Sequence, residues 1–192
     1  MFVIEPRGEK YPHFPALLLD GTISSLDLEA LVERNARHAD NRDMWDPDQP
    51  EIGPYFLPPF QRPPVWTLAQ KTRFVESALL GITMGSIVVC DAMNLPMQSP
   101  HRFARTDRWL VDGQQRLMAL LDYRNDLITP FAGTACEHRW SDLTVVERRR
   151  FWSLQIGIIR IATADEALLR EIYDRLNFGG TAHTDEQRAV AG

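Results

Sequence analysis

Apolar residues fall at helical spacing near both ends of the chain and in short runs between. Leu28, Leu31 and Val32 form a stripe that predicts a helix over 26–37, with Ser24 or Ser25 at its start. Leu168, Leu169, Ile172 and Leu176 form a second stripe, predicting a helix over 164–177 with those four side chains inward. Between them lie runs that read as strands. One covers 86–90, a short one 109–111, and a third 154–162, where Ile156, Ile158 and Ile161 are β-branched. Residues 55–57 predict an edge strand, because Pro58 and Pro59 end it.

Polar punctuation sharpens the helix starts. Thr67 with Gln70, Thr144 with Glu147, Thr163 with Glu166 and Thr184 with Gln187 all have capping-box spacing. In that motif the threonine oxygen accepts an early backbone N–H and the residue three further on reaches back. The first box predicts a helix over 68–80 stopped by Gly81, the second a helix over 145–153. Pro6, Pro12 and Pro15 make 1–16 an irregular arm, and the polar stretch 38–54 reads as a loop or linker. The expected organisation is an N-terminal arm over 1–54, holding one helix, and a main domain over 55–192. The strands are short and lack regular βαβ spacing, so the fold class is α+β rather than a doubly wound parallel sheet.

Charge narrows the function classes. With 21 Lys and Arg against 26 Asp and Glu, the net charge is −5. That argues against a protein built to blanket nucleic acid, so DNA binding by this chain alone is expected to be weak. Cys90 and Cys136 are too few for a disulfide framework or a four-cysteine zinc site. Two isolated thiols fit a reducing cytoplasm. No apolar run nears the ~20 residues that span a bilayer, so no membrane partner is expected. The five histidines show no metal spacing.

Three segments carry candidate chemistry. In the first, an apolar strand runs into Asp112-Gly113-Gln114-Gln115-Arg116 and an apolar helix leaves. A strand-to-helix turn aims backbone N–H groups and the positive dipole end at whatever lies above it, which suits phosphate. Gly113 permits close approach, Arg116 can fork onto phosphate oxygens, and Gln114 and Gln115 can read neutral edges. A purely structural role fits equally: Asp112 as cap, Gly113 as turn, the glutamines solvated. The second segment is 58–66, where four prolines stiffen a loop that presents Gln61 and Arg62 between Phe60 and Trp66. The third is 175–181, where Asn177 ends a helix and Gly179, Gly180 and Thr181 form an amide-rich loop. Each of these two also reads as ordinary structure, a proline-rich edge and a glycine helix stop. Arg148, Arg149 and Arg150 read as a solvated helix face. Arg102, Arg105 and Arg108 lead to the Asp112 turn, where adding positive charge near a phosphate and balancing nearby acids are equal readings.

In combination the segments resemble the GmrSD N-terminal-domain family of the ParB/sulfiredoxin-like superfamily. The likeness rests on Phe60-Gln61-Arg62 with Trp66, Gly81-Ile82-Thr83-Met84-Gly85-Ser86-Ile87, Asp112-Gly113-Gln114-Gln115-Arg116 and Leu176-Asn177-Phe178-Gly179-Gly180-Thr181. It covers roughly 55–190. The resemblance implies a ParB/sulfiredoxin-like core with a nucleoside triphosphate in the cleft that the Asp112 turn lines, and a link to phage defence through modified DNA. It also implies that Gln114, Gln115 and Arg116 contact phosphates, that Gln61 and Arg62 reach across, and that Asn177, Gly179, Gly180 and Thr181 close the site. Phe60 stands where family members often carry tyrosine, so no catalytic phenol is carried over there. The phosphate turn holds no cysteine, so sulfur reduction is not expected. No His-Asn-His nuclease pattern is present, so self-contained DNA cleavage is not expected.

Two functional expectations follow. One is a magnesium-assisted nucleoside triphosphatase. In it Arg62 and Arg116 stabilise phosphoryl charge, Asp112 holds Mg2+ or orients water, and Gln61 or Gln115 positions that water. The other is a nucleotide- or DNA-responsive module without turnover, acting through a separate effector or nuclease chain.

Overall fold

In a computed structural model, residues 17, 19, 21–31, 49–92, 95 and 105–178 are described. The centre is a four-stranded mixed sheet of β1 (Thr22–Asp27), β4 (Ser86–Cys90), β5 (Leu110–Asp112) and β6 (Gln155–Ile161), in the order β1-β6-β4-β5. β4 and β6 run parallel, whereas β1–β6 and β4–β5 pair antiparallel. A separate ribbon joins β2 (Glu51–Ile52) to β3 (Tyr55–Phe56), and Phe56 bridges to Trp109 beside β5. The helices are α1 (Leu68–Leu79), α2 (Gln114–Arg124), α3 (Val145–Trp152) and α4 (Glu166–Phe178). The class is α+β, as the sequence predicts.

Side-chain alternation along the strands builds two cores. Ile87, Val89, Leu110, Ile156 and Ile158 face one side, where they join Val75, Leu117, Leu120, Tyr123 and Phe151 from α1, α2 and α3. Val88, Cys90, Val111 and Ile161 face the other, under Leu169, Ile172 and Tyr173 of α4. Burying one of these branched or aromatic side chains stabilises the fold by about 1.5–3 kcal/mol. Lys71 of α1 meets Asp122 of α2 at 2.6 Å, clamping the two helices side by side.

The structure corrects several sequence expectations. Residues 24–27, assigned to the cap and start of a helix, lie in strand β1 (Thr22–Asp27). Helical geometry begins only at Leu28, where the Asp27 carboxylate accepts the Ala30 N–H at 2.6 Å. Leu28 and Leu31 are nonetheless buried as their spacing requires. Ile52, read as linker, lies in β2 and enters the core. On α4, Leu176 is 44% exposed and Tyr173 takes the inward position instead. Thr67 and Thr144 both form complete capping boxes. Thr163 does not cap α4. Asp165 does, its carboxylate accepting from the N–H groups of Ala167 and Leu168, while Thr163 Oγ1 accepts from Asp165 N. The box at Thr184 lies outside the described residues.

The Thr144 box carries a testable pH signature. Hydrogen bonds from Thr144 hold the Glu147 carboxyl below its ordinary value. A depressed folded-state pKa stabilises the fold above the unfolded pKa, and the contribution fades as pH falls through the folded value. Thr144→Ala is expected to cost about 1 kcal/mol near neutrality. In urea melts at pH 7 and pH 3, the gap between variant and wild type should narrow at the lower pH. An unchanged gap would contradict the capping role of Glu147.

Candidate functional site

β5 delivers the chain to the site. Its last residue, Asp112, is followed by Gly113 at φ +109°, a backbone that favours glycine. A Cβ at Gly113 would lie 2.4 Å from Ile87 Cγ2, so the turn is pressed against β4. Gly113 is the N-cap of α2 and no side chain caps that helix end. Asp112, one candidate for the cap, instead pairs with Arg116 at 2.5 Å. The first turn of α2 therefore meets the cleft with backbone N–H groups, two glutamines and an arginine already tethered by a carboxylate.

The proline segment crosses this turn as a strap held at three points. Gln61 Nε2 donates to the carbonyls of Leu110 and, at 3.2 Å, Val111. The Arg62 N–H donates to the Tyr173 hydroxyl of α4 at 3.2 Å. The Trp66 N–H donates to Gln115 Oε1 of α2 at 3.1 Å. Phe60 sits behind the strap against Trp109 and Tyr173. Directly after Trp66 the Thr67–Gln70 box starts α1, so a rigid helix anchors the far end of the strap.

Strap, turn and α4 enclose a cleft of about 320 Å³, within the range of small-ligand sites. Gln61, Arg62, Asp112, Gly113, Gln114, Gln115, Arg116 and Asn177 all line it. These are the described candidate site residues of the three sequence segments, brought together from positions up to 116 residues apart. Gly179, Gly180 and Thr181 lie outside the described residues. Tyr173 lines the cleft as well and was not foreseen, although it stands one helical turn before Asn177 and shares its face. Asn177 Nδ2 donates to the Tyr173 carbonyl at 2.9 Å.

One polar group in the cleft wall is notable for what it lacks among the described residues. Gln61 Oε1 is buried with no partner, and Gln114, only 9% exposed, lines the same cleft. Buried polar groups are nearly always satisfied, and leaving one unpaired costs about 1–3 kcal/mol. Gly85 supports the opposite side: at φ +73°, a Cβ there would come within 2.9 Å of Arg116 Nη1.

Other candidates are accounted for elsewhere. Arg105 pairs with Glu166 and lies over Trp109, and Arg108 donates to the Pro54 carbonyl and lies over Phe56. Neither lines the cleft; Arg102 lies outside the described residues. Arg148 lies over Trp140 and donates to the Ser141 carbonyl. His138 bonds Tyr123 at 2.7 Å within an aromatic cluster, a structural use of a histidine. Burial pushes the Cys90 thiol up to about 11, so it is a packing residue, while Cys136 is exposed. The described residues contain no group of three or more metal-ligating side chains and no helix long and apolar enough to cross a membrane.

A family model described as GmrSD restriction endonuclease, N-terminal domain, matches residues 47–187, a span that holds the strap, the turn and α4. No curated protein and no solved structure matches the chain.

Proposed function

The chain belongs to the family of GmrSD restriction endonuclease N-terminal domains, and from that premise we propose that its cleft binds a nucleoside triphosphate with magnesium and hydrolyses it in the service of restriction. Family membership itself ties the chain to restriction, a phage-defence function. The nucleotide reading rests on one observation above all: the N-terminus of α2 opens into the cleft without a side-chain cap. A helix N-terminus of this kind favours an anion through its N–H groups and its dipole. Arg116 and Arg62 line the same space and supply positive charge for phosphoryl oxygens.

The donor set fits the metal. Mg2+ bound with a triphosphate needs only one or two protein carboxylates, because phosphates and water supply the rest. Asp112 is the carboxylate among the described lining residues. When bound, the ion offsets charge on the phosphates. The residues of this chain hold the phosphates over α2 and orient the arginines. Gln115 is tied to Trp66 through Oε1, so it links ligand contact at α2 to the strap and onward to α1.

A module that binds nucleotide without turnover, and passes the signal to a separate effector or nuclease chain, is the second reading. The Asp112–Arg116 pair favours it, since it occupies both groups that turnover would employ. Phosphate release from ATP, GTP, CTP and UTP with magnesium, run beside calorimetric binding, separates the two. Turnover of at least one nucleotide is expected. Binding without turnover would make the domain a sensor, and neither would overturn the nucleotide reading.

A further inference from the structure

We infer that Gly85 is a positioning residue for Arg116: the side chain it lacks is the space in which the guanidinium rests, and the triphosphate affinity of the cleft depends on that space. Resting on the nucleotide reading above, in which Arg116 holds phosphate, this gives the 81–87 segment a part in the site. That segment belongs to the family likeness, yet none of its residues lines the cleft. Both ends of the Arg116 fork are placed from outside the helix. Nη2 pairs with the Asp112 carboxylate at 2.5 Å. Nη1 lies where a Cβ on Gly85 would approach to 2.9 Å, closer than side chains pack.

Gly85 is itself held in place. Its N–H donates to Thr83 Oγ1 at 3.3 Å, and its carbonyl accepts the Gly157 N–H at 3.1 Å. Gly157, on β6, lies so close that a Cβ there would come 2.9 Å from Ser86 Cβ and 3.3 Å from the Gly85 carbonyl oxygen. Two residues on, Ile87 presses on Gly113. The approach to β4 is thus a floor for the phosphate turn, with Ile87 against its glycine and Gly85 against its arginine. A methyl group at Gly85 would be felt at the guanidinium, because Nη1 is the far end of a flexible side chain and swings away more easily than a sheet shifts. An arginine held in one pose has already lost rotamer freedom that phosphate binding would otherwise remove. Displacing it costs affinity, while the fold bears only the strain of a left-handed residue. Gly81 isolates that strain: its φ is +81° against +73° at Gly85, and a Cβ there meets nothing within 4 Å.

The test is calorimetric titration of the full chain with the tightest binder among ATP, GTP, CTP and UTP, calcium replacing magnesium to suppress turnover. Gly85→Ala should weaken binding about tenfold, the worth of one hydrogen bond to a charged group. Gly81→Ala should bind as wild type does. In an Arg116→Ala background, Gly85→Ala should change affinity by no more than about twofold, since the group it displaces is gone. In the free proteins the Arg116 guanidinium resonance, identified by its loss in Arg116→Ala, should move in Gly85→Ala and stay in Gly81→Ala. If Arg116→Ala binds too weakly to titrate, that resonance decides. Wild-type affinity in Gly85→Ala, with Arg116→Ala weakened, would overturn the positioning role and leave the phosphate reading intact. So would an equal loss in Gly81→Ala, a loss that persists undiminished without Arg116, or an unmoved resonance. Binding of none of the four nucleotides to wild type would sink the nucleotide reading and this role with it. Should Gly85→Ala fail to fold, Gly85→Asn places the same Cβ on a residue that tolerates left-handed backbone, and the same comparisons apply.

Discussion

Replacing Arg116 with alanine is expected to weaken triphosphate binding by at least tenfold and to remove any turnover, while the protein stays folded. Arg116 lies in the first turn of α2 and lines the cleft, so its guanidinium can fork onto two phosphate oxygens. Among the described residues it pairs with Asp112, one helical turn earlier. Side chains of this pair retain 21% and 28% exposure, so breaking it strands no fully buried charge. Arg116→Lys should recover part of the binding, because a lysine keeps the charge and loses the planar fork. Calorimetry on the three proteins checks the order wild type, lysine, alanine. A wild-type affinity in Arg116→Ala would place the phosphates elsewhere.

The other large effect is on stability. Gly113→Ala should destabilise the domain by about 3 kcal/mol, from a left-handed backbone worth about 1–2 and a packing clash worth about 1–3. Its Cβ would sit 2.4 Å from Ile87 Cγ2 and 2.9 Å from Ile87 Cβ, both on a strand in the middle of the sheet. Gly81→Ala is the matched control. It shares a positive φ of 81° but meets nothing within 4 Å, so only the backbone cost of about 1–2 kcal/mol applies. Thermal melts should therefore drop by roughly 10 °C for Gly113→Ala and by about half as much for Gly81→Ala. Equal drops would show that the contact with Ile87 does not matter.

Local chemistry made much of the fold legible in advance. Thr67 and Thr144 announce their helices because a capping box is complete within four residues, and nothing distant competes with it. At Thr163 a nearer rival wins: Asp165 stands closer to the helix and its carboxylate reaches two N–H groups. β1 was hidden for a different reason. Thr22–Asp27 has no clean alternation, and its partner on β6 lies more than 120 residues away. Such pairing is decided by tertiary contact rather than by local propensity. The same limit explains Leu176, whose helical phase is right in principle but whose side of α4 turns to solvent.

The candidate site was legible as parts, and its assembly was not. Each of the three segments has an ordinary structural explanation alone. Their convergence on one cleft, which includes Gln61, Arg116 and Asn177, is a property of the fold. Tyr173 carries no motif. Its role emerges only where the Arg62 N–H meets its hydroxyl. The split between the glutamines is likewise invisible in the string Gln114-Gln115. Gln115 is tied to Trp66 and Gln114 is only 9% exposed, and only three-dimensional packing distinguishes them.

The most direct test of phosphate binding at the start of α2 is an amide-resolved nuclear magnetic resonance titration with magnesium and the preferred nucleoside triphosphate. The largest shifts are expected at the backbone amides of Gly113, Gln114, Gln115 and Arg116, followed by Arg62 and Trp66 through the strap. Saturation with those amides unmoved, or with the largest shifts on α3, would contradict the assignment of the cleft as the phosphate site.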